Sequence, residues 1–240
     1  MITIIESTTI NPPGQLLIVT GISDSVLKDE GYVVDINDAS KICQLEQLYP
    51  IPMFTGTGSV VSGIPIVCGG ESIDASYLAQ CFVYDLNSWM FLTNMSTPRQ
   101  DVTSAPLNGA LWVTGGYTNN GINEDSSTEI IYLNGTVTYG PTLPSARDGH
   151  CMVTMHDGKI MILGSDGGTT NSKDVVIYDN ANEKFQSAPS LLYERKRSGC
   201  TSFTSNLHGD RPVILVAGGE DTATAEVFDY TYNNFWEESK

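Results

Sequence analysis

Five short apolar runs end in glycine, and their spacing limits what the chain can fold into. They are Leu16-Leu-Ile-Val-Thr-Gly21, Pro65-Ile-Val-Cys-Gly-Gly70, Leu111-Trp-Val-Thr-Gly-Gly116, Ile160-Met-Ile-Leu-Gly164 and Ile214-Leu-Val-Ala-Gly-Gly219. Their first glycines, Gly21, Gly69, Gly115, Gly164 and Gly218, lie 48, 46, 49 and 54 residues apart. Each run is short, apolar or β-branched and closed by a turn former, which is the signature of a buried strand. A second series keeps phase with the first: Tyr32-Val-Val-Asp35, Phe82-Val-Tyr-Asp85, Ile130-Ile-Tyr-Leu133, Val176-Ile-Tyr-Asp179 and Glu226-Val-Phe-Asp229. Six residues after its last position comes an aromatic, Phe91, Tyr139, Phe185 or Phe235, with Lys41 in the first copy. In a third series an arginine opens the unit, with Arg99, Arg147 and Arg197 each two residues ahead of a small or polar strand. A period near 50 over 240 residues means five copies of one supersecondary unit.

These residues make the chain resemble a kelch-repeat β-propeller over nearly its whole length. The resemblance implies an all-β fold of about five four-stranded antiparallel blades, at roughly residues 2–48, 53–95, 99–140, 147–187 and 197–238. Either five blades form the propeller, or the chain is a fragment of a six- or seven-bladed one. Several positions depart from the pattern. Blade one has Gly21-Ile22 for the double glycine and Val34 for the tyrosine. Met53 stands where blade two should open with arginine, blade three has Leu133 for the aspartate, and blade four has Gly164-Ser165. A lone blade leaves two apolar faces open, and stacking neighbours buries both.

Composition removes several function classes. Asp and Glu number 28 against 12 Lys and Arg, a net charge of −16, which repels nucleic acid and anionic membrane surfaces. No apolar run is long enough to insert in a membrane. The opening residues from Met1 to Ile10 read as a strand rather than a signal peptide. No catalytic, metal or cofactor constellation is present. His150, His156 and His208 lie outside any metal-ligand spacing, the glycine-rich stretch Gly56–Gly63 is not a dinucleotide fingerprint, and there is no nucleophile elbow. A copper radical oxidase resembling galactose oxidase needs a ligand set that is missing here, so the expectation is a non-enzyme without cofactor or metal.

The expected function is a protein-interaction scaffold. In a four-stranded blade, the loop after the glycine pair and the link to the next blade share one face. That rim collects Asp24, Asp29, Glu30, Glu71, Asp74, Glu124, Asp125, Asp166, Asp174, Glu220 and Asp221, with Arg99, Arg147, Arg195 and Arg197 close by. Tyr77, Tyr117 and Tyr193 fall in the same loops as aromatic anchors. The expected partner is a protein or peptide of basic character, with these arginines among the contacts. Solubilising loop carboxylates are the bland alternative. Two further alternatives are a purely structural fragment of a larger kelch protein and a catalytically inactive relative of galactose-oxidase-like propellers.

The five cysteines are Cys43, Cys68, Cys81, Cys151 and Cys200. Loop symmetry sets Cys68 opposite Cys81 on paired strands, within bonding reach. Extracellular kelch proteins carry cysteines in this arrangement, so the resemblance favours a disulfide, with two buried thiols as the alternative. Cys151 and Cys200, one residue out of step when counted from their arginines, read as buried free thiols, and Cys43 is left over. Two glycosylation sequons, Asn94-Met-Ser96 and Asn134-Gly-Thr136, fall on outer-strand or turn segments. With the cysteine pair they favour an extracellular origin over a cytoplasmic one.

Overall fold

Every glycine-terminated run is the second strand of a four-stranded antiparallel sheet, and in blades two to four the unbroken apolar character reflects burial on both faces. Ala110–Thr114 and Ile160–Leu163 are buried at every residue. The computed structural model describes residues 2–7, 15–23, 26–35, 38–118, 123–165, 172–220, 222–231 and 235–239, with the backbone alone for 2–7, 15–23, 26–28, 39 and 123. Blade one consists of Ile2–Ser7, Gln15–Ser23, Val26–Asp35 and Asp38–Gln44. Blade two has Thr57–Val61, Ile64–Cys68, Gln80–Asp85 and Ser88–Asn94. Blade three has Thr103–Leu107, Ala110–Thr114, Thr128–Tyr132 and Val137–Tyr139. Cys151–Thr154, Ile160–Leu163, Val175–Asp179 and Lys184–Ala188 make blade four. Gly199–Ser205, Arg211–Ala217, Ala225–Phe228 and Trp236–Glu238 make blade five. In all five sheets the strands are paired in sequence order, and no α-helix occurs among the described residues.

The chain divides into two compact units. The first holds Met1–Asn123 and Thr128–Gly140, and the second holds Glu124–Ser127 and Pro141–Lys240. In the first, blades two and three enclose a core that includes Val61, Ile66, Val83, Met95, Val102, Leu111, Val113 and Ile131. Tyr49, from the link after blade one, packs edge-on against Phe82 and Trp89 of blade two. In the second unit, blades four and five enclose Val153, Met161, Leu163, Leu191, Ile214, Val216, Phe228 and Trp236. Each such side chain contributes about 1.5–3 kcal/mol through removal from water.

Strand register corrects two sequence alignments. Val67 pairs with Phe82, Val113 with Glu129, Ile162 with Val176 and Val216 with Glu226, each partner lying opposite the residue two before the first glycine. In blade three the equivalent of Phe82-Val-Tyr-Asp85 is therefore Glu129-Ile-Ile-Tyr132, so Tyr132 rather than Leu133 occupies the aspartate position. In blade five the opening arginine is Arg195 rather than Arg197. The Arg195 carbonyl accepts from Ser165 N–H, as the Arg99 carbonyl accepts from Gly70 N–H.

Cys68 and Cys81 face each other in register and are disulfide-bonded. Cys151 and Cys200 do not remain free thiols: they are bonded across blades four and five. Counted from the corrected opening arginines, Cys151 lies four residues after Arg147 and Cys200 five after Arg195, and that one-residue offset is what lets them meet. Successive strand residues point to opposite faces. A pair bridging two stacked sheets needs one residue on the forward face of the first and one on the rear face of the next. Cys151 pairs with Leu163, one before the glycine, and Cys200 pairs with Val216, two before it. Blades two and three use the same two positions, where Thr57 and Ser104 share a hydroxyl hydrogen bond of 2.8 Å. Cys43 is free and exposed.

Candidate functional site

The rim is set by a kink repeated at the opening of successive blades. Two residues after Met53, Arg99, Arg147 and Arg195 the backbone turns left-handed, at Thr55 (φ 56°), Asp101 (φ 48°), Gly149 (φ 53°) and Arg197 (φ 52°). Inside the first unit Asp101 N–H donates to the Thr55 carbonyl at 3.1 Å, and inside the second Arg197 N–H donates to the Gly149 carbonyl at 2.6 Å. Short strands brace the kinks: Phe54 pairs with Glu71, and Gln100 pairs with Tyr117. Such strained backbone conformations persist where the surrounding fold over-determines them. The double glycine makes room for this bracing. Gly116 has φ +86°, and a Cβ there would stand 2.4 Å from the Gln100 carbonyl oxygen.

In the first unit this arrangement assembles an acidic and aromatic cluster. Tyr77 bridges to Glu71 through the backbone. The Gln100 side-chain amide donates to the Tyr77 hydroxyl at 3.0 Å and accepts from the Thr55 hydroxyl at 3.4 Å. Partial burial raises Glu71 above the usual carboxylate range, and the neighbouring Asp101 charge raises it further. Burial and the Glu71 charge likewise raise Tyr77. Asp74 stands apart at the exposed loop tip, tied to Ser72 and Ser76. The Ser72 hydroxyl is the main reason its carboxyl is lowered. Tyr117 is half-buried on the short strand beside Gln100.

The second unit has a charge-paired rim. Arg197, part-exposed, forms an ion pair with Glu220, whose N–H donates to the Lys196 carbonyl. Glu124 is half-buried, and Asp125 accepts from the Ser127 hydroxyl and N–H. Tyr193 is partly exposed and donates from its N–H to Glu226. Asp24, Asp166 and Asp221 lie outside the described residues.

Three of the four arginines expected to touch a partner are interior. Arg99 pairs with Glu129 at 2.9 Å, and Arg195 pairs with Glu226 at 2.9 Å, all four side chains having 0% exposure. Each guanidinium also donates to the first glycine's carbonyl, Gly115 or Gly218. Each carboxylate accepts two backbone N–H groups from the preceding link, from Ser96 and Thr97 or from Leu192 and Tyr193. The result is a clamp that ties the incoming link to the blade's second and third strands, and a guanidinium without exposed surface meets no partner. Arg147 is equally buried, but its blade has Val176 at the register position where the clamps have glutamate. It donates to the Ser145 hydroxyl at 2.9 Å and, weakly, to the Gly164 carbonyl at 3.5 Å. Burial lowers its pKa, while the Asp174 charge opposes that shift. His150, three residues on, is pushed down to about 3 by burial, with the Arg147 charge adding to it.

Glu129, Glu226, Asp101 and Gln100 did not emerge from the sequence as site residues. A carboxylate inside an otherwise apolar strand (Thr-Glu-Ile-Ile and Ala-Glu-Val-Phe) was the signal for the first two, because a buried charge needs a partner. No group of three or more metal-ligating side chains occurs among the described residues. No helix among them is long and apolar enough to cross a membrane.

No family profile matches the chain. Among curated proteins it is 30% identical over 146 residues to an F-box/kelch-repeat protein of Arabidopsis thaliana, covering 57% of this chain and 39% of that protein. It is 28% identical over 123 residues to a putative F-box/kelch-repeat protein of the same plant, covering 50% of this chain and 32% of the relative. The matched region spans well under half the length of either relative. The kelch-repeat relatives and the five four-stranded sheets on a period near 50 agree: the chain is similar to kelch-repeat proteins in both sequence and strand arrangement.

Proposed function

We propose that the chain is a protein-interaction module whose first-unit rim receives a basic side chain of a partner protein or peptide. The observation that supports this is the juxtaposition of Glu71 and Asp101, which leaves Glu71 harder to ionise. A lysine or arginine placed between the two carboxylates relieves their mutual repulsion, and the Tyr77 ring beside them offers an amphipathic surface for the side chain's stem. The second-unit rim has already neutralised its kink arginine with Glu220 and offers less to a cation. Kelch-repeat relatives are in keeping with a binding rather than a catalytic role.

The test is titration of arginine-rich and matched neutral peptides against the chain and its Glu71→Gln/Asp101→Asn variant. Arginine-rich peptide affinity is expected to fall as salt rises and to drop on the order of tenfold in the double variant. It is also expected to weaken on acidification as Glu71 protonates. An affinity that is flat with salt and equal in the variant would sink the reading.

A further inference from the structure

The docking rim leaves both sequons unexplained. Asn134 lies in the turn joining the third and fourth strands of blade three, with Asn134 and Thr136 both exposed. Its Oδ1 accepts the Thr136 N–H at 3.0 Å, which folds Asn and Thr of the motif toward each other. The Asn134 Nδ2 has no partner among the described residues. Asn94 ends the outermost strand of blade two, exposed, with Ser96 exposed after it. The two motifs share one wall: a Cβ on Gly135 would lie 3.3 Å from the Leu92 carbonyl oxygen, so the Asn134 turn is seated against the strand that Asn94 ends. That wall is an open sheet edge with exposed Met90, Phe91 and Tyr139. Edges of this kind template unwanted pairing unless something covers them. The cysteines give an independent pointer to the compartment. Four of five are paired, Cys68 with Cys81 and Cys151 with Cys200, and such bonds persist where the surroundings are oxidising.

We propose that Asn134 and Asn94 carry N-linked glycans that flank and shield the outer edge of blades two and three. The donor is a polyprenyl-diphosphate-linked oligosaccharide. The asparagine Nδ2 forms a bond to the sugar C1 and the C1–O bond to the diphosphate breaks. The amide gives up one proton, and nothing is oxidised or reduced.

The test is peptide mass spectrometry of the full chain immunopurified from its own source, with and without a peptide:N-glycosidase. Peptides holding Asn134 and Asn94 are expected to be missing at sequence mass before treatment and to appear afterwards with aspartate in place of asparagine. Expression of the chain behind a secretion leader in animal cells supplies the variants. Asn134→Gln and Thr136→Ala should each remove the same single glycan, and Asn94→Gln the other. Fully unmodified peptide at either position in the native protein overturns the assignment of that position. Thr136→Ala keeps the asparagine, so retention of the Asn134 glycan in that variant also overturns it. The double variant Asn94→Gln/Asn134→Gln should self-associate at concentrations where the glycosylated chain is monodisperse. Equal dispersity of the two overturns the shielding role.

Discussion

The junction between blades two and three and the junction between blades four and five are built to one plan with different chemistry. Both have a buried arginine–glutamate clamp at the incoming link, Arg99–Glu129 in one and Arg195–Glu226 in the other. Both join their first strands through side chains at the same two register positions. There the first unit uses the Thr57–Ser104 hydroxyl pair and the second uses the Cys151–Cys200 disulfide. The shared clamp shows what stacking blades requires: a link whose free N–H groups are taken up by a carboxylate that is itself neutralised. The divergent cross-link shows what stacking merely permits, since either bond fits the same offset.

The clamps test the shared half of this plan and should give the largest effect. Glu129→Ala and Glu226→Ala each strand a buried guanidinium and release two backbone donors. Each is expected to cost about 3–5 kcal/mol. Hydrogen exchange resolved by unit should localise the loss of protection to the first unit for Glu129→Ala and to the second for Glu226→Ala. A large loss for one and none for the other breaks the equivalence.

The cross-links test the divergent half. Cys151 and Cys200 are 49 residues apart, and opening a loop of that size by Cys151→Ser/Cys200→Ser should cost about 2–4 kcal/mol. Removing the hydroxyl pair by Thr57→Val/Ser104→Ala should cost only about 1 kcal/mol. The stricter form is the swap. Thr57→Cys/Ser104→Cys is expected to form a second inter-blade disulfide under oxidising conditions, read as loss of two titratable thiols. Two free thiols in the folded variant would show that the register match does not extend to side-chain geometry.

The sequence displayed the plan better than its fittings. The glycine-terminated strands were legible because burial on both faces demands an apolar run and the kink demands glycine, so period and blade order followed. Register was legible only where loop symmetry set Cys68 opposite Cys81; in blades three and five it was not. Tyr132-Leu133 imitates Tyr-Asp in type while sitting one residue out of place, and only the pairing of Val113 with Glu129 reveals it. Arg195 and Arg197 are two residues apart and alike in sequence; one is fully buried and the other part-exposed. The cysteine offset misled for a related reason. Equivalence within a blade and contact between blades follow different rules, because adjacent sheets meet face to back. For the candidate site, Glu71 was visible as a loop carboxylate, whereas Asp101 needed the left-handed kink to bring it alongside.

A smaller effect should be equal in the two units. Gly116 and Gly219 are second glycines with φ +86° and +116°, and a Cβ would meet the Gln100 carbonyl oxygen at 2.4 Å or the Lys196 carbonyl oxygen at 2.7 Å. Alanine at either position is expected to cost about 1–3 kcal/mol by strain and displaced bracing. Thermal unfolding of Gly116→Ala and Gly219→Ala is the measurement, and a shift confined to one of them would show that the other position accommodates a Cβ against its kink.

Acid should separate the units where their architecture does not. Three residues after its opening arginine, blade three has Val102 and blade four has His150, both buried. Burial, helped by the Arg147 charge, pushes His150 down to about 3 from its ordinary 6.5. The unfolded chain therefore takes up a proton below pH 6.5 that the folded chain refuses. Stability contributed by the neutral imidazole is fully present above that pH and is lost as pH falls through the window towards 3. The limiting slope is about 1.4 kcal/mol per pH unit, so the cost reaches about 2 kcal/mol by pH 5. Hydrogen exchange of the second unit should accelerate across this range. His150→Leu, which gives blade four the apolar character that Val102 gives blade three, should remove that acceleration. An equal acid response in His150→Leu and the unaltered chain would place the proton uptake on some other group.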